Sequence, residues 1–168
     1  MNILIIDDAQ SRHDAIVGFY RAHWPTHPSY PHRFEHRYRP RAVSRHDLAW
    51  ADIVWLDHDM CRSSPRDGVA WGRDGAPCPE PAPRGGCGCP TGVDVARRLV
   101  RDVAPDARPV AVVVHSANTA GAANIVAVLR AGGVSSASAL PASRWASYDM
   151  GVVLAGQRRD VEAARAPF

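Results

Sequence analysis

Lysine is absent from this chain of 168 residues, so all twenty of its basic residues are arginine. Any chemistry that needs a lysine amine is therefore excluded. Also missing is an apolar run near the twenty residues that a membrane span requires. The run from Ile3 to Ile6 is too short, and too soon followed by Asp7 and Asp8, to be a secretion signal, so a cytoplasmic location is expected by default. Cysteine is scarce and confined: Cys61, Cys78, Cys87 and Cys89 all fall within residues 61–90. In a reducing compartment such thiols point away from disulfides and towards metal. Their spacing is irregular, with one residue between Cys87 and Cys89, so a structural zinc site and partly used thiols both stand. His58 is a possible substitute ligand.

What is present suits one soluble α/β domain over residues 1–168, with 46% apolar and 22% charged residues. The formal net charge of +3 is modest. The stretch Ile53-Val54-Trp55-Leu56-Asp57-His58-Asp59-Met60 organises the rest. A continuous apolar run reads as a strand buried on both faces of a parallel sheet. Open parallel sheets bind ligands just beyond the carboxyl ends of their strands. Asp57, His58 and Asp59, each able to bind metal or move protons, should therefore sit at the mouth of a site.

Two more strands end in the same way. Asn2-Ile3-Leu4-Ile5-Ile6 runs into Asp7-Asp8, a repelling pair best tolerated where a cation or an arginine neutralises it. Val110 to Val114 runs into His115-Ser116-Ala117-Asn118. Between the first two strands, Ile16, Phe19 and Tyr20 share a helical face that ends by Pro25, with His13 and His23 read as surface residues. Phe34 to Tyr38 alternates weakly, as a half-exposed second strand would. Around it Arg33, Arg37, Arg39, Arg41 and Arg45 form a basic edge that reads as solvated, with phosphate binding and base stacking the alternative. Ser44 starts a short helix to Trp50. Residues 61–90 are dense in proline and glycine and read as an insert after the third strand. Thr91 caps a helix with Val93, Ala96, Leu99, Val100 and Val103 on one face and Arg97, Arg98 and Arg101 on the other. A helix from Asn118 or Thr119 stops at Gly132-Gly133, a fifth strand is expected over Val134 to Leu140, and a last helix from Trp145.

This order predicts a doubly wound, flavodoxin-like, five-stranded parallel sheet. The arrangement resembles a response-regulator receiver domain. Asp7 and Asp8 stand where receivers place their acidic pair, Asp57 at the phosphoacceptor position, and Met60 three residues later. Thr91-Gly92-Val93-Asp94-Val95 resembles the receiver's glycine-plus-helix segment, and Ser116-Ala117 its Ser/Thr-Ala. Where receivers carry a lysine before a proline, this chain has Leu140-Pro141. The altered set, L-D-H-D on the third strand and H-S-x-N after the fourth, resembles the group called cyclic-phosphate processing receiver domains, over Asn2 to Pro141.

The resemblance implies a metal-dependent phosphoesterase acting on cyclic phosphates of nucleotides or RNA ends, and the residues suit that chemistry. Asp7, Asp8 and Asp57 are candidates to hold Mg²⁺ or Mn²⁺. His58 and His115 are candidates for base and acid, with Asp59 a further catalytic carboxylate. Ser116 and Asn118, at a helix start, would hold phosphate oxygens. The rivals are a pseudo-receiver that binds a nucleotide or protein partner without catalysis, and a divergent phosphoacceptor using Asp57. For the cysteines, metal analysis of fresh, reduced protein should find zinc near one per chain; a metal-free result would remove the zinc site.

Overall fold

The computed structural model describes residues 1–24, 31–58, 62–63, 70–71, 90–141 and 147–165. In chain order these form β1 (Asn2–Ile6), α1 (Gln10–His23), β2 (Arg33–Arg37), a 3₁₀ turn (Pro40–Ala42), α2 (Arg45–Trp50) and β3 (Ile53–Leu56). There follow β4 (Arg62–Ser63), β5 (Ala70–Trp71), α3 (Gly92–Asp102), a 3₁₀ turn (Pro105–Ala107), β6 (Ala111–Ser116), α4 (Thr119–Ala131), β7 (Ala137–Pro141) and α5 (Ser147–Arg165). The strands β4 and β5 pair antiparallel with each other. Asp59, Met60 and the four cysteines lie outside the described residues, and so does the zinc expectation.

The other five strands make an all-parallel sheet in the order β2-β1-β3-β6-β7. This is the expected receiver-like topology, and it puts the reversal of winding between β1 and β3. Side chains alternate across each strand, and both sets are apolar. Ile3, Ile5, Ile53, Trp55, Ala111 and Val113 pack under α1 and α5 with Ile16, Tyr20, Leu154 and Val161. Leu4, Ile6, Val54, Leu56, Val112 and Val114 pack under α2, α3 and α4 with Leu48, Leu99, Ile125 and Leu129. Burying each such aliphatic side chain contributes about 1.5–3 kcal/mol. The α5 helix is also tied by polar bonds: Trp55 Nε1 donates to Tyr20 Oη at 3.1 Å, which donates to Gln157 Oε1 at 2.6 Å.

Caps set the helix starts. Ser44 with Asp47 and Thr91 with Asp94 form capping boxes, and Asn118 Oδ1 accepts from Gly121 N at 2.8 Å. The fifth sheet strand begins three residues later than expected. Gly133 adopts φ +88°, Gly133 N donates to Arg130 O at 3.0 Å, and Val134 N donates to Leu129 O at 2.9 Å. These are the two bonds of a Schellman cap, so Val134 finishes α4 and is spent before the strand begins. A second correction concerns His13, expected at the surface. It is fully buried, because the face of α1 that carries it lies against the end of β1 and the edge strand β2.

Two glycines allow close approach at the carboxyl end of the sheet. A Cβ on Gly92 would lie 2.2 Å from Asp57 O and 2.8 Å from Ile125 Cδ1. Gly92 N also donates to His58 O at 3.2 Å, so α3 starts against the end of β3. We expect Gly92→Ala to lower stability by about 2 kcal/mol or more, since backbone cannot yield as a side chain can. Gly18→Ala, where a Cβ would meet nothing within 4 Å in mid-α1, should instead gain up to about 1 kcal/mol. Urea denaturation of the two variants beside the wild type reads both signs.

Candidate functional site

Strand alternation divides the groups at the sheet's carboxyl end. Continuing past Ile3 and Ile5, Ile53 and Trp55, and Ala111 and Val113 brings Asp7, Asp57 and His115 to the α1/α5 side. The residues of opposite parity on the other two strands, His58 and Ser116, belong to the other side, while Asp8, past the end of β1, pairs with Arg12 of α1.

Asp7 is wholly buried. Its Oδ1 accepts from Ala9 N at 2.7 Å, and its Oδ2 accepts from Arg12 Nε at 2.5 Å. Arg12 Nη2 also lies 2.8 Å from Asp8 Oδ1 and 3.2 Å from Asp57 Oδ2, so one guanidinium touches three carboxylates. One oxygen from each of the three lies within 4.8 Å of the others. Burial opposes the charge on Arg12, but the hydrogen bond to Asp7 and the attraction of Asp7, Asp57 and Asp8 outweigh it and hold its pKa above the ordinary value. Burial and then repulsion from Asp7 push Asp57 up to about 6, against the opposing pull of Arg12. Three hard oxygen donors around one monovalent cation leave negative charge to spare. This donor set fits a divalent cation such as Mg²⁺ or Mn²⁺.

His115 lies beneath this cluster. Its Nδ1 is 3.4 Å from Asp7 Oδ2, its ring centroid is 5.8 Å from that of Trp55, and the residue is 1% exposed. Burial pushes its pKa down to about 4, although Asp7 pulls the other way, so the ring is neutral at neutral pH. The expected pair of imidazoles facing one substrate is therefore not what the geometry provides. The physical reason is parity: β6 continues through His115 to Ser116, and its alternation turns the imidazole into the layer beside Trp55.

His58 is the half-exposed imidazole. A Cβ on Gly121 would fall 2.5–2.6 Å from its ring atoms, so the ring lies flat on the first turn of α4. Asn118 Nδ2 stands 3.4 Å from His58 Nδ1. Because Asn118 Oδ1 is committed to Gly121 N, the atom facing the imidazole is the amide donor, and His58 Nδ1 accepts. That assignment puts the proton of the neutral ring on Nε2. The Ser116 side chain is nearly buried and accepts from Asn118 N at 3.1 Å. His58 N donates to Asp57 Oδ1 at 2.7 Å, joining this half of the site to the acidic half.

A family model described as the cyclic-phosphate processing receiver domain matches residues 40–131, more than half of the chain. The chain belongs to that family. It is a receiver-like domain associated with cyclic-phosphate processing. The match contains Asp57, His58, His115, Ser116 and Asn118, while Asp7, Asp8 and Arg12 precede it. No curated protein matches the chain.

Seven of the eight residues expected at the site, all but Asp59, are described, and they meet at one end of the sheet. Sequence reasoning missed Arg12, although its position four residues after Asp8 on a helix was a usable signal. It also missed Gly121, which makes room for His58, and His13, whose Nε2 lies 2.8 Å from Asp7 O and whose Nδ1 lies 2.6 Å from His36 Nδ1. Leu140, where receivers carry lysine, is buried in the α1/α5 layer, and the cation beside Asp57 comes from α1 instead.

The raised pKa of Asp57 has a stability signature. Protonated Asp57 is favoured by folding, so its contribution is full below its ordinary value of 3.8 and is lost as pH rises through about 6. His115 has the opposite slope, its contribution being present above 6.5 and lost as pH falls through about 4. The wild-type profile mixes the two. The stability of Asp57→Asn relative to wild type, measured in chelator, isolates the first. This difference should grow by up to about 3 kcal/mol from low to neutral pH and level off above about pH 7. A difference that does not change with pH would mean that Asp57 ionises normally.

Proposed function

We propose that this domain hydrolyses a cyclic phosphodiester, of a nucleotide or an RNA end, to a phosphomonoester. The observation that carries the reading is the gathering of Asp7, Asp8 and Asp57, with His58 joined to Asp57 through its backbone. Asp7, Asp8 and Asp57 would hold a divalent cation, Mg²⁺ or Mn²⁺. When bound, such an ion offsets the phosphate's charge and acts as a Lewis acid.

In the proposal water attacks phosphorus and one ring P–O bond breaks, leaving an alkoxide that must gain a proton. His58 donates a hydrogen bond to that leaving oxygen from Nε2, the nitrogen on which Asn118 places the proton, and the alkoxide takes its own proton from solvent water. Asp59, next in the chain, is assigned the proton released by the water. Asn118 Nδ2 and the Ser116 hydroxyl, at the start of α4, have the chemistry to hold phosphate oxygens. His115 is a positioning residue here, fixing Asp7 from below.

A second reading draws support from Arg12. Its guanidinium already contacts all three carboxylates, as it would in a pseudo-receiver that binds a nucleotide or protein without catalysis. Binding and turnover separate the two. Under the hydrolytic reading, His58→Ala should lose about 10²-fold or more in turnover of 2′,3′-cyclic nucleotides while Mn²⁺ affinity, followed by calorimetry, changes little. Asp57→Asn should weaken both, and His115→Gln should weaken Mn²⁺ binding first. Neither Mn²⁺ binding nor hydrolysis in the wild type would leave the pseudo-receiver standing.

A further inference from the structure

A second charged feature lies on the α2/α3/α4 side of the molecule. Between α3 and the 3₁₀ turn Pro40–Ala42 runs a groove of about 360 Å³ lined by Arg41, Pro90, Asp94, Arg97, Arg98 and Arg101. Four arginines against one aspartate give this groove the same formal +3 as the whole chain, so the remaining residues sum to zero.

The groove is partly built. Arg98 Nη1 donates to Val43 O at 3.0 Å and its Nη2 donates to Pro40 O. Both acceptors are neutral carbonyls, so the guanidinium is fixed in place while these bonds cancel none of its charge. Arg97 and Arg101 sit one turn apart on the exposed face of α3, with 66% and 69% of their side chains exposed. Arg97 stands 3.7 Å from Asp94, and Arg101 pairs with Asp102 in the open. Exposed pairs of this kind contribute little and yield readily to a competing anion. One end of the groove is Pro90, two residues before Gly92, whose backbone packs on Asp57. The arginines therefore form a track that starts beside the mouth of the candidate site and leads away along α3.

A free cyclic mononucleotide has no use for such a track, because its single phosphate would be in the site. The geometry points to a polyanionic chain in the groove, single-stranded RNA, with its backbone phosphates on Arg41, Arg97, Arg98 and Arg101 and its 3′ end at the site. A 2′,3′-cyclic phosphate requires a 2′-hydroxyl, so the chain that ends in one is RNA. This assignment of the substrate as an RNA end rests on the hydrolytic reading above.

The test is binding of a labelled ten-nucleotide RNA ending in a 3′-phosphate to the full chain, followed by fluorescence anisotropy across a salt series. Wild type should bind, with a salt slope that reports several released counterions. Arg97→Ala combined with Arg101→Ala should weaken binding about tenfold or more and reduce that slope by about 1.4. Arg158→Ala, on α5 across the sheet, should match wild type. Where hydrolysis is present, the double variant should lose more turnover on an RNA-end cyclic phosphate than on a cyclic mononucleotide. No RNA binding at low salt, or equal binding by the double variant, overturns the inference even if mononucleotides are cleaved. Arginine-dependent RNA binding without any hydrolysis supports the groove and overturns the catalytic reading instead.

Discussion

A carboxylate with no exposure to solvent must be surrounded by donors, and Asp7 collects them from several directions. Its side chain takes Ala9 N and Arg12 at the start of α1 and has the His115 imidazole of β6 beside it. Its carbonyl faces His13 of α1, and its N–H bonds Arg37 O of β2. The direction in which α1 leaves the sheet, the placement of Arg12 over Asp8 and Asp57, and the depth of His115 all follow from satisfying this one group. The polar end of the sheet is a network tied to Asp7, and the apolar layers behind it hold the strands that deliver its members.

That network splits the candidate site into two halves with different physics. On the α1/α5 side Asp57 and His115 are buried and ionisable, and burial moves the pKa of Asp57 up and that of His115 down. On the α4 side His58, Asn118 and Ser116 are hydrogen-bonding groups arranged around a helix start. The first half suits a cation and the second suits the oxygens and leaving group of a phosphate ester. The bond from His58 N to Asp57 Oδ1 links the two and keeps them in register.

Much of this was legible in the sequence. Three apolar runs of four or five residues, each ending in polar groups, identified β1, β3 and β6 and placed Asp7, Asp57 and His115 at their ends. The caps Ser44, Thr91 and Asn118 were readable because capping is local chemistry. What was not legible depends on which way a side chain faces. A histidine on a helix of low amphipathicity gives no sign that a backbone carbonyl awaits it, so His13 read as surface. The strand residues His115 and Ser116 looked equivalent, yet alternation sends one beneath Asp7 and the other to the start of α4. Arg12 was hidden among twenty arginines, and only the fold brings Asp57 to it. The segment from 61 to 89, with its cysteines, was distinctive in composition, but composition does not specify a path.

Asn118 performs two tasks with one side chain. Its oxygen begins α4 by accepting from Gly121, and its nitrogen decides which ring nitrogen of His58 keeps the proton. Serine, threonine or aspartate can begin a helix as well as asparagine can, but none of them offers an amide donor to the imidazole. The two tasks make different demands on one side chain, so a replacement that preserves the fold perfectly can still invert the tautomer of His58.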